Sequence, residues 1–208
     1  DSRISKMIAP YKEEIDQEMN AIIGESAITM TKGKPQSTLG NWMADALQVQ
    51  SEKYFDDKID FTTVNYGGIR IPEMRKGPIT RGKIYELMPF ENLLVVLEIK
   101  GDIVQQFFDK MASAGGWPIS HQVRYEIENG TAQNITIHDQ PIDKAKTYKI
   151  ALADFIANGG DKCYFFIDQT RTELNVLVRD AIIEYVVEKS KSGKLLDAEI
   201  DFRVKEII

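Results

Sequence analysis

The segment from 154 to 161, Asp-Phe-Ile-Ala-Asn-Gly-Gly-Asp, places an aromatic ring, two glycines and a carboxylate close together in the chain. The two adjacent glycines permit a tight turn because no Cβ atom obstructs positive φ angles. Phe155 and Asp161, held on either side of such a turn, could grip a flat ring and a pair of hydroxyl groups. The alternative is a core phenylalanine, a plain turn at Asn158 and an aspartate that caps it.

A second segment of similar character runs from Asn65 to Arg70, with the sequence Asn-Tyr-Gly-Gly-Ile-Arg. It follows a predicted buried strand, and loops that follow the strands of α/β sheets commonly contact ligands. Its glycines could expose backbone N–H groups to an anion, and Arg70 could offer a two-pronged donor to phosphate or carboxylate. The alternative is a tight turn followed by a surface arginine.

A third segment, Pro-Phe-Glu-Asn at 89–92, lies between the other two in the sequence. Phe90 could stack on the ring of a ligand. Asn92 can donate and accept hydrogen bonds at once, as the edge of a base requires. A core phenylalanine and a turn-stabilising asparagine are the alternatives. Across the three segments, the rings of Phe90 and Phe155 and the polar groups of Arg70, Asp161, Asn65 and Asn92 are suited to holding a nucleoside phosphate.

Composition limits the other kinds of chemistry. The 208 residues carry a net charge of −6, which argues against a general nucleic-acid binder with its normally basic surface. Cys163 is the only cysteine, so neither an internal disulfide nor a multi-thiolate metal site can form. His121 and His138 are the only histidines and share no ligand spacing, so we expect no dinuclear metal site and no other cofactor in this chain. A metal-free acid–base enzyme using Asp161 or Glu91 has no positive support but stays open.

The sequence also bears on the cellular location. No apolar run approaches the ~20 residues of a membrane-spanning helix, so we expect no transmembrane segment. A single cysteine fits both a reducing cytosol and a bacterial exported protein. The chain begins at Asp1 without a signal-like stretch. We expect a periplasmic or cell-surface protein from which an export signal has been removed.

Periodicity predicts the elements that position these segments. An amphipathic helix is predicted over 3–23 from apolar residues at helical spacing, namely Ile4, Ile8, Tyr11, Ile15, Met19 and Ile22. Further helices are predicted over 39–55, with Thr38 as its N-cap, and over 81–87, 103–113 and 174–189. Strands are predicted over 27–31, 59–64, 93–100, 123–128, 132–138, 148–153 and 200–204.

The order of these elements predicts the fold class. Asn129-Gly130 indicates a type I′ hairpin between two of the strands. Helices and strands are intermixed, so we expect an α/β (α+β) fold with a mixed β-sheet flanked by helices. We expect residues 1–36 to form an N-terminal amphipathic helix and a short strand, followed by one domain over 37–208.

Several ordered motifs carry a resemblance to a known family. They are Thr-Leu-Gly-Asn-Trp-Met-Ala-Asp-Ala at 38–46, Asn-Tyr-Gly-Gly-Ile-Arg at 65–70, Ile-Thr at 79–80 with Pro-Phe-Glu-Asn at 89–92, Lys-Thr-Tyr at 146–148, and Phe-Ile-Ala-Asn-Gly-Gly-Asp at 155–161. From about Ser37 to the C-terminus, the chain resembles the C-terminal, substrate-binding domain of the 5′-nucleotidase family. That family also contains 2′,3′-cyclic phosphodiesterases and UDP-sugar hydrolases.

The resemblance implies roles for particular residues. Phe90 and Phe155 would sandwich the nucleobase, and Asn92 would touch the base edge. Arg70 and Asn65 would hold phosphate and ribose oxygens, and Asp161 would take the ribose hydroxyls. The full set of substrate-binding residues implied in this way is Asn65, Gly67, Gly68, Arg70, Phe90, Asn92, Phe155, Asn158, Gly159, Gly160 and Asp161.

The chain departs from the family pattern in three places. The stretch Lys-Gly-Lys-Pro-Gln at 32–36 lacks the arginine that usually precedes the Leu-Gly-Asn motif, and a lysine could only partly replace its planar fork. Lys162-Cys163-Tyr164 follows Asp161 where the family usually has Gly-Tyr or Gly-Phe. The N-terminal metallophosphatase domain, which in this family carries the divalent metals and the catalytic groups, is absent from this sequence.

The expected function is therefore binding of a nucleoside or nucleotide, with hydrolysis dependent on a metallophosphatase domain in cis or in trans. Whether the chain itself is an enzyme is left open, and we expect none of its residues to be catalytic. The helix over 3–23 is a candidate docking surface that packs either on this domain or on the partner. The alternative function is a structural or interaction module that has lost ligand binding.

Overall fold

The computed structural model describes the backbone of residues 2–207 and the side chains of residue 9 and residues 11–207. Within this range the chain forms six α-helices, twelve β-strands and three short 3₁₀ turns. The helices are α1 (Ser2–Asn20), α2 (Thr38–Phe55), α3 (Arg81–Leu87), α4 (Gly101–Ser113), α5 (Asp154–Ala157) and α6 (Val178–Lys191). The strands are β1 (Ile22–Ser26), β2 (Met30–Thr31), β3 (Phe61–Thr62), β4 (Glu73–Met74), β5 (Gly77–Thr80), β6 (Leu93–Lys100), β7 (Val123–Glu128), β8 (Thr131–Ile137), β9 (Gln140–Pro141), β10 (Thr147–Ala153), β11 (Thr170–Leu177) and β12 (Val204–Ile207).

A mixed four-stranded sheet, in the order β11-β6-β10-β3, forms the centre of the molecule. β10 runs parallel to β3, whereas β6 is antiparallel to both β10 and β11. A second four-stranded sheet has the order β12-β7-β8-β9, and two small two-stranded sheets pair β1 with β5 and β2 with β4. The expected α/β (α+β) class, with a mixed sheet flanked by helices, is confirmed.

Both faces of the central sheet are covered, which explains the nearly continuous apolar run of β6. Val95 and Leu97 point to a core shared with α4 and the second sheet. Leu94 and Val96 point to the opposite core, which is shared with α2, α3 and α6. Successive side chains of a strand face opposite sides, so a single strand contributes to both cores.

Several predicted elements have the expected bounds. The helix over 81–87 and the strands over 93–100 and 123–128 coincide with α3, β6 and β7. At the predicted hairpin, Asn129 and Gly130 have φ angles of +50° and +74°, as a type I′ turn requires. Helix α2 begins one residue earlier than expected, because Ser37 rather than Thr38 is its N-cap and accepts a hydrogen bond from the Gly40 N–H.

The helix predicted over 174–189 is wrong in its first turn. Residues up to Leu177 belong to β11, and the helix begins at Val178. The alternation of exposed and buried residues along β11 leaves Leu174 and Val176 facing the core. The segment pairs with β6 and is therefore a strand. The spacing of its apolar residues also fits a helix and gives no information about this pairing.

Strand pairing also corrects the N-terminal and C-terminal predictions. The predicted helix over 3–23 ends at Asn20, and Ile22 starts a strand that pairs with β5, a strand that was not predicted. The strand predicted over 27–31 is reduced to Met30–Thr31. The strand predicted over 200–204 lies instead at Val204–Ile207, in parallel register with β7.

A buried ion pair fastens the C-terminal segment to α2. Arg203 is 3% exposed, and its guanidinium donates to both carboxylate oxygens of Asp45 at 2.9 and 3.0 Å. Asn41 of the same helix donates from Nδ2 to the Glu199 carbonyl at 2.9 Å. Asn41 and Asp45 of the Leu-Gly-Asn-containing motif therefore serve the packing of the C-terminal segment.

Helix α1 lies at the edge of the domain and contacts α3 near its own C-terminal end. Glu18 and Arg81 lie 3.6 Å apart there. Tyr11 and Ile15 are 66% and 55% exposed. The side chains of Ile4 and Ile8, which belong to the predicted apolar face, lie outside the described residues. Among the helices of the described range, none is long and apolar enough to cross a membrane.

Candidate functional site

Sheet topology brings the three candidate segments to one edge of the central sheet. The segments that begin at Asn65 and at Asp154 follow β3 and β10, and these two strands are parallel, so both segments leave at the same edge. β6 is antiparallel to β10, with Leu94 opposite Ala153, so its start lies at that edge too. Asn92 directly precedes β6, and its carbonyl accepts a hydrogen bond from the Val178 N–H at 2.9 Å.

Eight of the eleven predicted site residues line one cleft of about 280 Å³ at this edge. They come from all three segments, and they are Asn65, Gly67, Gly68, Arg70, Phe90, Asn92, Phe155 and Asp161. Asn158, Gly159 and Gly160 are not among the lining residues. The structure therefore assembles most of the predicted set from positions far apart in sequence.

The three remaining residues shape the turn behind the cleft. Asn158 accepts a hydrogen bond at Oδ1 from Arg171 at 2.6 Å. Gly159 has a φ of +89°, a conformation that favours glycine. A Cβ atom on Gly160 would clash with the backbone carbonyl of Phe155 and would lie 2.6 Å from a carbon of its ring, so a larger residue would disturb both.

The two phenylalanines of the cleft are partly exposed. Phe90 is 39% exposed and Phe155 is 45% exposed, so neither is the core residue that the alternative interpretation required. Both rings offer apolar surface to the cleft. Ring surface presented in this way suits stacking on a flat, aromatic ligand.

Asn65 and Asp161 connect two walls of the cleft. Asn65 donates from Nδ2 to Asp161 Oδ2 at 2.8 Å, across a separation of 96 residues in sequence. A Cβ atom at Gly68 would lie 2.8 Å from Asn65 Oδ1, so a larger residue there would push the Asn65 amide out of this position. Asp161 has a φ of +51°. The carboxylate is thus held at the cleft, with acceptor capacity for hydroxyl groups.

Arg70 lies on the wall that Phe90 also forms. Its guanidinium carbon is 5.6 Å from the centre of the Phe90 ring, within the range of a cation–π contact. Its Nη1 donates to the Gly67 carbonyl at 3.3 Å, and its backbone N–H donates to the Leu87 carbonyl at 2.9 Å. The charge is therefore positioned at the cleft beside an aromatic ring.

Two lysines that the predicted site did not include lie near Arg70. Lys32 donates to the Ile69 carbonyl at 2.7 Å, and its Nζ lies 4.1 Å from the centre of the Tyr66 ring. Lys34 Nζ lies 4.6 Å from the same ring. Burial, with the positive charges of Arg70 and Lys34, lowers the pKa of Lys32. In the sequence, both lysines belong to the stretch 32–36, which lacks the arginine that the family usually has before the Leu-Gly-Asn motif.

The clustered cations and the donor set favour an anionic ligand over a metal ion at this cleft. Among the residues that the structure describes, no group of three or more histidine, cysteine, aspartate or glutamate side chains could hold a metal ion. Asp161 is the one acidic residue among those lining the cleft. Arginine, lysine and backbone N–H groups are the usual partners of phosphate.

Comparison with known proteins identifies the family of this domain. The family model described as "5′-nucleotidase, C-terminal domain" matches residues 17–168. The chain belongs to this family. The 5′-nucleotidase C-terminal domain so identified includes all three segments of the cleft.

Curated relatives are similar over most of this domain but are much longer proteins. Endonuclease YhcR of Bacillus subtilis is 29% identical over 165 residues, which are 76% of this chain and 13% of that protein. Protein UshA of Salmonella pullorum is 31% identical over 143 residues, which are 67% of this chain and 25% of that protein. The chain therefore spans at most about a quarter of the length of these two relatives.

A solved structure shares the fold. The 5′-nucleotidase precursor from Thermus thermophilus superimposes with a TM-score of 0.83 at 24% sequence identity, over 98% of this chain and 43% of that one. The match extends over the whole domain described above. At this level of identity the likeness concerns the fold.

Proposed function

We propose that this C-terminal domain binds a nucleoside or nucleotide in the cleft, with the base between Phe90 and Phe155. The observation that carries the proposal is the convergence of three distant segments on one cleft with two partly exposed aromatic rings. Stacking of a base on an aromatic side chain contributes about 1–3 kcal/mol, so two rings supply much of the affinity of a small ligand.

The polar groups of the cleft define how the ligand is oriented. Asn92 lies on the same wall as Phe90, where an amide can pair with a base edge. Asp161 accepts from the ribose hydroxyls while Asn65 holds it in place. Arg70 takes the phosphate, and Lys32 and Lys34 add positive charge behind it. The two lysines thus supply part of the positive charge and hydrogen-bond donors of the planar guanidinium that the family usually has in the stretch 32–36.

Hydrolysis in this proposal requires a metallophosphatase domain, in cis or in trans, that holds the divalent metals. The length of the relatives supports this division, since the matched region is a small part of each. The domain described here binds and orients the nucleotide, and the other domain supplies the metal-activated attack on phosphorus. We place the whole system outside the cytoplasm, in the periplasm or at the cell surface.

Isothermal titration with adenosine, AMP and UMP tests ligand binding directly. We expect all three ligands to bind, and we expect Phe90→Ala or Phe155→Ala to lower their affinity about tenfold or more. Phe202→Ala is the matched control, because this ring is 61% exposed and lies outside the cleft. Absence of binding up to millimolar ligand would favour the alternative, a structural module without a ligand. Binding that both alanine variants leave unchanged would place the ligand elsewhere.

The exposed face of α1 is the surface proposed for docking of the metallophosphatase domain. Its C-terminal end packs on α3 of this domain, while Tyr11 and Ile15 are exposed further along the helix. Apolar side chains that face solvent in this way suit an interface. The double variant Tyr11→Ser, Ile15→Ser should reduce co-purification with a 5′-nucleotidase metallophosphatase domain. Unchanged co-purification would show that Tyr11 and Ile15 of α1 do not contribute to the interface.

A further inference from the structure

A second pocket of about 300 Å³ adjoins the cleft. It is lined by Gly67, Lys110, Ala114, Trp117, Asp161 and Lys162. Gly67 and Asp161 line both pockets, so these two residues form the boundary between them. Arg70 and the two cleft phenylalanines line the first pocket alone. The second pocket therefore opens beside the proposed ribose position. Arg70 reaches only its boundary, where Nη1 donates to the Gly67 carbonyl at 3.3 Å.

The second pocket carries positive charge in a chain whose net charge is −6. Lys110 is half-buried on α4, and Lys162 is exposed in the turn after Asp161. Within residues 2–207, neither lysine forms an ion pair. Lys34 also reaches this pocket, since it donates to the carbonyl of Ala114. Three ammonium groups thus surround a pocket whose one lining carboxylate is Asp161.

The backbone conformation at Lys162 disfavours lysine, so local folding does not account for this side chain. Lys162 has a φ of +68° and follows Asp161 at +51°, so two consecutive residues with side chains adopt the left-handed conformation. This conformation is unfavourable for lysine and easy for glycine, which is the residue that the family pattern usually has here. Backbone strain retained beside a ligand cleft is commonly linked to function.

We propose that the second pocket binds a second phosphoryl group carried on the ribose of the same nucleotide. The ligand class is then a nucleoside 3′,5′-bisphosphate or 2′,5′-bisphosphate, and this inference rests on the proposed function of the cleft. One ribose oxygen carries the phosphoryl group toward Lys110 and Lys162. The neighbouring hydroxyl remains the donor to Asp161, and the lysines offset the repulsion between that carboxylate and the phosphate.

Titration of the full chain with AMP, ADP and adenosine 3′,5′-bisphosphate tests the inference. We expect the bisphosphate to bind about tenfold more tightly than AMP at low salt, and this advantage to shrink as salt rises. Lys162→Gly should remove most of the advantage and leave AMP affinity within about twofold. Lys110→Ala should act in the same direction. Lys58→Ala, at a side chain that is 91% exposed and outside both pockets, is the matched control.

Thermal unfolding separates loss of the ligand contact from loss of the fold. Lys162→Gly should unfold at the same temperature as the wild type or higher, because glycine accepts the positive φ angle without a steric penalty. A drop in bisphosphate affinity with no drop in thermal stability supports a contact made by the lysine side chain.

Three other outcomes would contradict the second phosphoryl site or the function on which it rests. If AMP binds in a Phe90-dependent manner but the bisphosphate binds no more tightly, the second pocket is not a phosphoryl site and the proposed function stands. If the affinity of ADP exceeds that of AMP by as much as the affinity of the bisphosphate does, the second pocket does not recognise a phosphoryl group on the ribose. If neither AMP nor the bisphosphate binds, the proposed function itself fails.

Discussion

Phenylalanines occupy two contrasting environments in this domain. In the core, Phe107 and Phe108 are fully buried, and the Phe108 ring lies 5.1 Å from that of Tyr125 in an edge-to-face arrangement. At the cleft, Phe90 and Phe155 keep 39% and 45% of their surface exposed. Hydrophobic stabilisation grows with the apolar area removed from water. The core rings therefore contribute their full apolar area to folding, whereas the proposed ligand would complete the burial of the cleft rings.

The largest effect is expected in the core. Phe108→Ala should lower the free energy of unfolding by about 3–5 kcal/mol, because a cavity replaces a ring that packs on Phe61 and Tyr125. Urea denaturation measures this change. Phe202→Ala, at an exposed ring, should change it by about 0.5 kcal/mol or less. Equal losses for the two variants would refute the distinction between buried and exposed rings.

A smaller effect of a different kind is expected at the cleft. Phe90→Ala should cost about 1–3 kcal/mol in nucleotide affinity and less than about 1 kcal/mol in stability. Phe90→Tyr should retain most of the affinity, since the ring face is kept. A large loss of stability, measured by urea denaturation beside the calorimetric titration, would show that the ring belongs to the core after all.

Substitution of Asp161 tests whether this carboxylate of the cleft binds the ribose hydroxyls. The wild type should prefer adenosine over 2′,3′-dideoxyadenosine, and Asp161→Asn should reduce that preference about tenfold because the charged acceptor is lost. Asparagine tolerates the positive φ of this residue, so the backbone should be retained. Asp56→Asn, at another left-handed aspartate outside the cleft, controls for the change of charge. An unaltered preference would separate Asp161 from the ribose.

The smallest effect concerns the charge of Lys32, whose pKa is lowered by burial and by the charges of Arg70 and Lys34. AMP affinity should weaken as the pH rises toward the usual lysine value of 10.5, whereas adenosine affinity should not. The unfolded chain binds more protons at this position in that range, so the same residue makes the free energy of unfolding rise with pH.

Lys32→Gln should remove the contribution of this residue to both trends, so variant and wild type should differ in their pH dependence. Titrations of AMP and adenosine across this alkaline range, with urea denaturation at the same pH values, measure the two quantities. If the AMP affinity of wild type and variant depends on pH in the same way, a group other than Lys32 interacts with the phosphate.

Local sequence predicted much of the fold. Apolar periodicity and β-branched residues indicated α3, β6 and β7 with their observed bounds, and Asn129-Gly130 indicated the hairpin. These features depend on neighbours within a few residues, so local patterns suffice. The misplaced elements are those that depend on distant partners. Local periodicity predicts residues 174–177, the second half of β11, as the first turn of a helix, and it predicts neither β1 nor its partner β5.

The candidate site shows the same division. The residue types in its three segments, and their resemblance to a known family, suggested a nucleotide ligand without any structure. Their meeting in one cleft followed from the parallel pairing of β3 with β10 and the antiparallel pairing of β6 with β10. The positions of Lys32 and Lys34 beside Tyr66 could not be read from the sequence, since they depend on packing between distant segments.

The sequence by itself determined most of the elements, the chemical groups and the family, because each depends on local patterns of residue type. The tertiary structure decided which of those groups share a pocket, because strand pairing and side-chain packing act between residues far apart in the chain. It also showed that Lys162, where the sequence had marked only a departure from glycine, adopts a glycine-like conformation at the edge of a second basic pocket.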